Sequence, residues 1–131
     1  MQTFLPYASF EASTRCLDWR RLGKQRVEAL QILNTLRGVS EGWANHPAVK
    51  MWEGYEDALA AYMNCCISEW IARGYNNNMK LETVGTYDLP EWLGWGEFHA
   101  SHRSNLLRKD SVYYGQFGWN EPNNLPYLWP K

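Results

Sequence analysis

LDWRRLGKQRVEALQILNTL, residues 17–36, carries Leu22, Ala29, Leu33 and Leu36 at helical spacing, with Leu30 and Ile32 widening the apolar stripe. That period predicts a helix lying on a core. On the other side Arg21, Lys24, Gln25, Glu28, Gln31 and Thr35 follow one another at steps of three and four residues, which sets one carboxylate inside a basic, amide-rich strip. Two readings fit the strip: a surface that holds a phosphodiester backbone while presenting Glu28 to a sugar or base, or a plain solvated helix face. Gly23 weakens the helix by roughly 1 kcal/mol relative to Ala, so a break or change of axis is expected between Asp18 and Lys24.

Outward from this helix the chain reads as all-α. Residues 1–10, MQTFLPYASF, are apolar but interrupted by Pro6, and are expected to lie as an arm across the core rather than as a central strand. Ser9 or Ser13 caps the next helix, with Ala12, Cys16 and Trp19 on its buried side. After a connector at 39–46, residues 47 to about 73 read as one continuous helix, started by Pro47 and stopped by Gly74. Residues 75–91 form a long loop with NNN at 76–78. Residues 97–110 form a third helix, with Phe98, Leu106 and His102 inward and Arg103, Arg108 and Lys109 outward. The remaining tail, rich in aromatics and broken by Gly and Pro, wraps the domain without regular structure. The expectation is one compact domain spanning 1–131, with about three main helices, a long irregular loop and an aromatic C-terminal tail.

Charge is uneven along the chain. Residues 1–50 carry seven Lys/Arg against four Asp/Glu, residues 51–100 two against eight, and residues 101–131 four against two. The total is only −1, so global basicity gives no argument for nucleic-acid binding. If the two ends pack together, they make one basic face and the acidic middle points elsewhere. Cys16, Cys65 and Cys66 lack the spacing of a disulfide framework and fit a reduced, cytoplasmic compartment. No run is long enough to span a membrane. Eight Trp and eight Tyr are more than a small core readily hides, which leaves some rings for a groove.

No metal site is expected, since the Cys and His residues show neither CxxC nor HExxH spacing. His99 and His102 share a helix face, but Arg103 beside them disfavours a cation. His102 with Arg103 could instead hold a phosphate. No phosphate-loop, dinucleotide or serine-elbow motif is present, and no cofactor is expected.

FLPY at 4–7, LDWRRLGKQRVEALQIL at 17–33, HPAVKMWEGYEDALAAY at 46–62 and FHASHRSNLLRKDSVYYGQFGW at 98–119 resemble the pyrimidine dimer DNA glycosylase family. The founding member is a phage enzyme called endonuclease V, and the likeness is strongest to the bacterial and phage branch with the LGKQR form. The resemblance implies a compact, mostly helical protein that removes a damaged base from duplex DNA and then cuts the strand. In the family the nucleophile is an N-terminal α-amine, assisted by a glutamate in the first long helix. That glutamate matches Glu28. Val27 stands where the founding enzyme has an arginine, so a phosphate contact is lost or moved to Arg26 or Lys24. Arg21 matches a position close to the family's basic contact. Arg103, Arg108 and Lys109 fall in a block near the same face, and Tyr113 and Tyr114 match its aromatic pair. Because aminopeptidase leaves Met before Gln, the amine here is expected to be that of Met1 rather than of the second residue.

The resulting assignment is a DNA glycosylase and abasic-site lyase with Met1 and Glu28 catalytic, and Arg20, Arg21, Lys24, Arg26, His102, Arg103, Arg108 and Lys109 on DNA. The expected partner is damaged or modified double-stranded DNA, and the expected state is a cytoplasmic monomer with no membrane association. The alternatives are a non-catalytic DNA-binding protein, and a related-fold enzyme acting on another modified nucleotide.

Overall fold

The helical period of 17–36 is realised as α2, Trp19–Leu36, in the computed structural model, which describes residues 1–130. Lys131, the last residue of the expected tail, lies outside the described residues. Before α2 comes α1, Phe10–Cys16, whose N-cap Ser9 accepts a hydrogen bond from Ala12 N. The change of axis falls at Leu17 and Asp18, not at Gly23. Leu17 is extended (ψ 139°) and Asp18, also extended, holds the N-cap position of α2 without a side-chain cap bond. Trp19 is therefore turned out to solvent, 54% exposed, instead of packing under α1 as expected. Gly23 has a different purpose: it lets α4 approach, since a Cβ there would meet the Trp70 ring at 3.0 Å.

The continuous helix expected over 47–73 is two. α3, Pro47–Lys50, ends in a turn at 51–54, and α4 runs Glu56–Ala72. Gly54 supplies the break with φ +86°, a conformation costly for other residues. The turn lets Met51 and Trp52 both point into the core. α4 is the central helix. Leu59, Tyr62, Met63, Cys66 and Ile67 are buried against Leu22, Ala29, Ile32 and Leu33 of α2. Fully burying such side chains contributes about 1.5–3 kcal/mol each.

α5, Gly96–Lys109, follows the long irregular segment and carries Phe98, His99, His102 and Leu106 inward. The tail is not wholly irregular. Asp110 caps α6, Ser111–Tyr114, and a single 3-10 turn, Gly115–Phe117, continues from it. These bring Tyr114, Phe117 and Trp119 into a stacked cluster, closed by a hydrogen bond from Trp119 Nε1 to Tyr7 Oη at 2.7 Å. Among the described residues there is no strand, and no helix is long and apolar enough to cross a membrane.

The arm is buried over residues 2–6 although it belongs to no helix or sheet, so its backbone polar groups need side-chain partners. Gln25 supplies two: its Nε2 donates to Gln2 O and its Oε1 accepts from Phe4 N, both at 2.8 Å. Tyr62 Oη lies 2.7 Å from Gln25 Oε1 and 2.9 Å from Phe4 O, and shares its proton between them. His102 Nδ1 accepts from Leu5 N at 2.8 Å, and His99 Nδ1 donates to Leu5 O at 2.7 Å. The two histidines that share a helix face, one of them expected to hold a phosphate with Arg103, thus clamp one residue of the arm. Gln25, expected on the solvated strip, is 1% exposed.

Candidate active site

The arm delivers its first residues to α2. Gln2 N donates to Glu28 Oε2 at 2.9 Å. The α-amine of Met1 is separated from that nitrogen by only two backbone atoms, which places it within roughly 4 Å of it. Glu28 keeps 15% side-chain exposure, and its other oxygen stands 4.0 Å from Lys24 Nζ. The carboxylate is thus fixed on one side by a backbone N–H and open on the other to a cavity of about 820 Å³.

Three segments far apart in sequence wall this cavity: Met1, Gln2 and Phe4 of the arm, residues 18–28, and Lys109, Asp110, Tyr113 and Tyr127 of the C-terminal part. No described residue between 29 and 108 lines it. The strongly acidic middle of the chain is therefore absent from the cleft. Of the residues singled out in the sequence, Met1, Arg20, Arg21, Lys24, Glu28 and Lys109 come together here. Burial lowers the pKa of Lys109, and the positive charges of Arg21, Arg108 and Lys24 add to that lowering. This crowding of like charges is what an anionic occupant would relieve.

Asp18 organises the cationic side. Burial alone would raise its pKa, but hydrogen bonds from Tyr114 and Arg21 outweigh it and hold the carboxyl below its ordinary range. Arg21 Nη1 sits 3.1 Å from Asp18 Oδ1, so its guanidinium is fixed at the cavity wall. Tyr114 Oη donates to the same carboxylate and accepts from Asp18 N, tying α6 to the start of α2.

Four expected DNA contacts are off the cavity wall. At about 100° per residue Arg26 lies roughly 200° around the helix from Lys24, and its guanidinium rests over Trp70, 4.3 Å from the ring centroid, while donating to Asn77 Oδ1. His102 has no exposed surface, so it reaches no phosphate. Arg103 is held by both oxygens of Glu121, at 2.9 Å each, and donates to Pro6 O at 2.7 Å. Arg108 contacts Asn105 Oδ1 and bears on the cleft through its charge.

The structure adds residues that the sequence reading passed over. Asp18 was legible as a helix cap, but not as the anchor of Arg21. Tyr127 gave no signal, because it arrives from an aperiodic tail. His46, read only as the residue before a helix-starting proline, caps α3 by accepting from Ala48 N through Nδ1 at 3.0 Å. Burial lowers its pKa and the Met1 ammonium adds to this, while Glu28 pulls it up, which puts the ring within electrostatic range of the catalytic candidates. Among the described residues no group of three or more His, Cys, Asp or Glu is placed to hold a metal ion.

A family model described as pyrimidine dimer DNA glycosylase matches residues 1–83. The match spans the arm, α1 and α2 with Glu28, and continues past α4 into the irregular segment. No curated protein and no solved structure matches the chain.

Proposed function

Because the chain belongs to the pyrimidine dimer DNA glycosylase family, we propose that it is a DNA glycosylase and abasic-site lyase acting on a damaged or modified base in duplex DNA, with an endonuclease V-like fold. The observation that carries the reading is the 2.9 Å contact between Gln2 N and Glu28 Oε2 at the wall of a cationic cleft. That contact, one residue after Met1 and beside Arg20, Arg21, Lys24 and Lys109, supports reading the amine, the carboxylate and the cations as one site. In this reading residues 1–131 work as one domain, a cytoplasmic monomer that needs no cofactor.

An amine attacks in its neutral form, through the free electron pair on nitrogen. The Met1 nitrogen attacks C1′ of the target nucleotide as the bond to the base breaks, and the base leaves with the bonding pair. The sugar ring then opens at C1′–O4′, giving a protonated imine between C1′ and the amine. Loss of a C2′ proton drives β-elimination, which breaks the C3′–O3′ bond and cuts the strand. Glu28 stabilises the cationic sugar and imine and moves protons on the sugar. Arg20, Arg21, Lys24, Arg108 and Lys109 hold the backbone phosphates.

Borohydride trapping on duplexes that carry a thymine dimer or an abasic site tests this. The expected adduct maps by peptide mass to the Met1 amine. Glu28→Gln should reduce strand scission at least a hundredfold with little loss of DNA affinity, and scission that survives the change removes Glu28 from the mechanism. One observation favours a second reading. The nitrogen that contacts Glu28 is the peptide nitrogen of Gln2, which is not a nucleophile. A non-catalytic DNA-binding protein would use the same cleft and give salt-sensitive binding with no trapped adduct.

A further inference from the structure

Among the described residues Trp19 is the one indole that lines the cleft, and the hydrophobic core makes no use of it. It opens α2, is 54% exposed, and lines the same cavity as Glu28, whereas Trp52 and Trp92 are buried at 0% and 8%. It is not among the partly buried rings packed against the core either. The Arg20 guanidinium stands over it, 5.3 Å from the ring centroid. That placement covers part of the ring with a cation and leaves the rest open to the cleft.

The surroundings define what would cover it. Arg20, Arg21, Lys24 and Lys109 favour an anion. The three carboxylates of the cleft are engaged: Asp18 with Arg21, Glu28 with Gln2 N, and Asp110 with Tyr113 N at 3.0 Å. The cleft therefore offers a planar apolar surface and a ring of cations. A nucleotide answers both, with a π-face and a phosphate.

We propose that Trp19 is the stacking surface for the nucleobase of the nucleotide whose sugar faces Glu28. It thereby distinguishes a base-bearing site from an abasic one. This rests on reading the cleft as a DNA site, and it adds the residue that recognises the target base once that base has left the helical stack.

The test pairs binding with turnover. 2-Aminopurine is quenched by its neighbours in a duplex and brightens on leaving the stack, so placing it at the target position reports, with no chemistry required, whether a protein ring covers the extruded base. The Trp19→Ala complex should emit several-fold more strongly than the wild-type complex, in which Trp19 quenches the base, and Trp19→Phe should fall between them. In turnover, Trp19→Ala should lower base release about tenfold more than it lowers scission at an abasic site, the reach of one lost stacked base. Quenching by Trp19→Ala equal to wild type, or equal losses on both substrates, overturns the proposal. Trp19-dependent quenching without any borohydride adduct from wild-type protein keeps the stacking role and removes the lyase reading, so the two failures are distinguishable. Circular dichroism of Trp19→Ala should match wild type, because the ring is outside the core.

Discussion

His102 accepts the Leu5 N–H through Nδ1, a bond open only to the neutral imidazole, and the ring has no exposed surface. Burial, with a smaller push from His99, takes its pKa down to about 3. An unfolded-chain histidine titrates near 6.5, so below that pH the unfolded state binds a proton that the native state refuses. The stabilisation from the neutral ring is complete above about pH 6.5 and is lost progressively as pH falls toward 3. At up to about 1.4 kcal/mol per pH unit, this site alone should cost roughly 2 kcal/mol between pH 6.5 and 5. Urea midpoints across that range measure it, and His102→Gln should flatten the slope while lowering stability at pH 7. His99 shifts in the same direction, again chiefly by burial, and adds to the acid sensitivity. Both rings hold Leu5, so acid should loosen the arm that carries Met1 and Gln2 to Glu28.

At the scale of elements, the contact of α2 with α4 depends on a residue that weakens α2 on its own. Gly23 to Ala would normally gain about 1 kcal/mol of helix propensity. Here the new methyl would press on Trp70, whose ring is held between Arg26 at 4.3 Å and Tyr75 at 4.4 Å and whose Nε1 donates to Asn76 O at 2.7 Å. With the ring so fixed, overpacking should prevail, and Gly23→Ala should destabilise by about 1 kcal/mol. Thermal or urea unfolding decides the sign, and Gly23→Ala combined with Trp70→Ala should show non-additivity, because the clash is then gone. The sequence showed a glycine in a helix and called for a break. The packing partner that explains it stands 47 positions away along the chain.

For the whole molecule, the uneven charge of the sequence becomes a sided surface. The cleft draws on residues 1–28 and 109–127 and excludes the acidic middle. DNA affinity should fall with salt, and each phosphate contact contributes about 0.9 to the slope of log K against log salt. Lys24→Ala and Lys109→Ala should each reduce that slope by about 1. Arg26→Ala and Arg103→Ala should leave it as in wild type, because those guanidinium groups serve Trp70 and Glu121. Arg103→Ala should instead lower stability by about 1–3 kcal/mol, since Glu121 and Pro6 O lose a partly buried partner. Titrations at several salt concentrations, read beside unfolding curves, separate the two kinds of arginine.

Sequence by itself determined the helical class, the register of α2 with Glu28 on the face of Arg21 and Lys24, and the stop at Gly74. These are local quantities: a period of 3.6 residues, a cap, or a residue free to adopt positive φ. It did not determine which polar residues of that face turn inward. Gln25 and Glu28 are neighbours on α2 and both reach the cleft wall, yet Gln25 is buried with both ends of its amide bound to the arm, while Glu28 keeps part of its carboxylate open. The difference is made by a segment without periodicity, whose course is set by side chains up to 97 positions away. Only the tertiary structure brought Gln2 to Glu28, Lys109 and Tyr127 to the same cavity, and His102 and Arg103 away from it. An irregular arm has no backbone pattern of its own, so its place is chosen by the partners that satisfy its buried N–H and C=O groups. Those partners exist as a set only once the helices have packed.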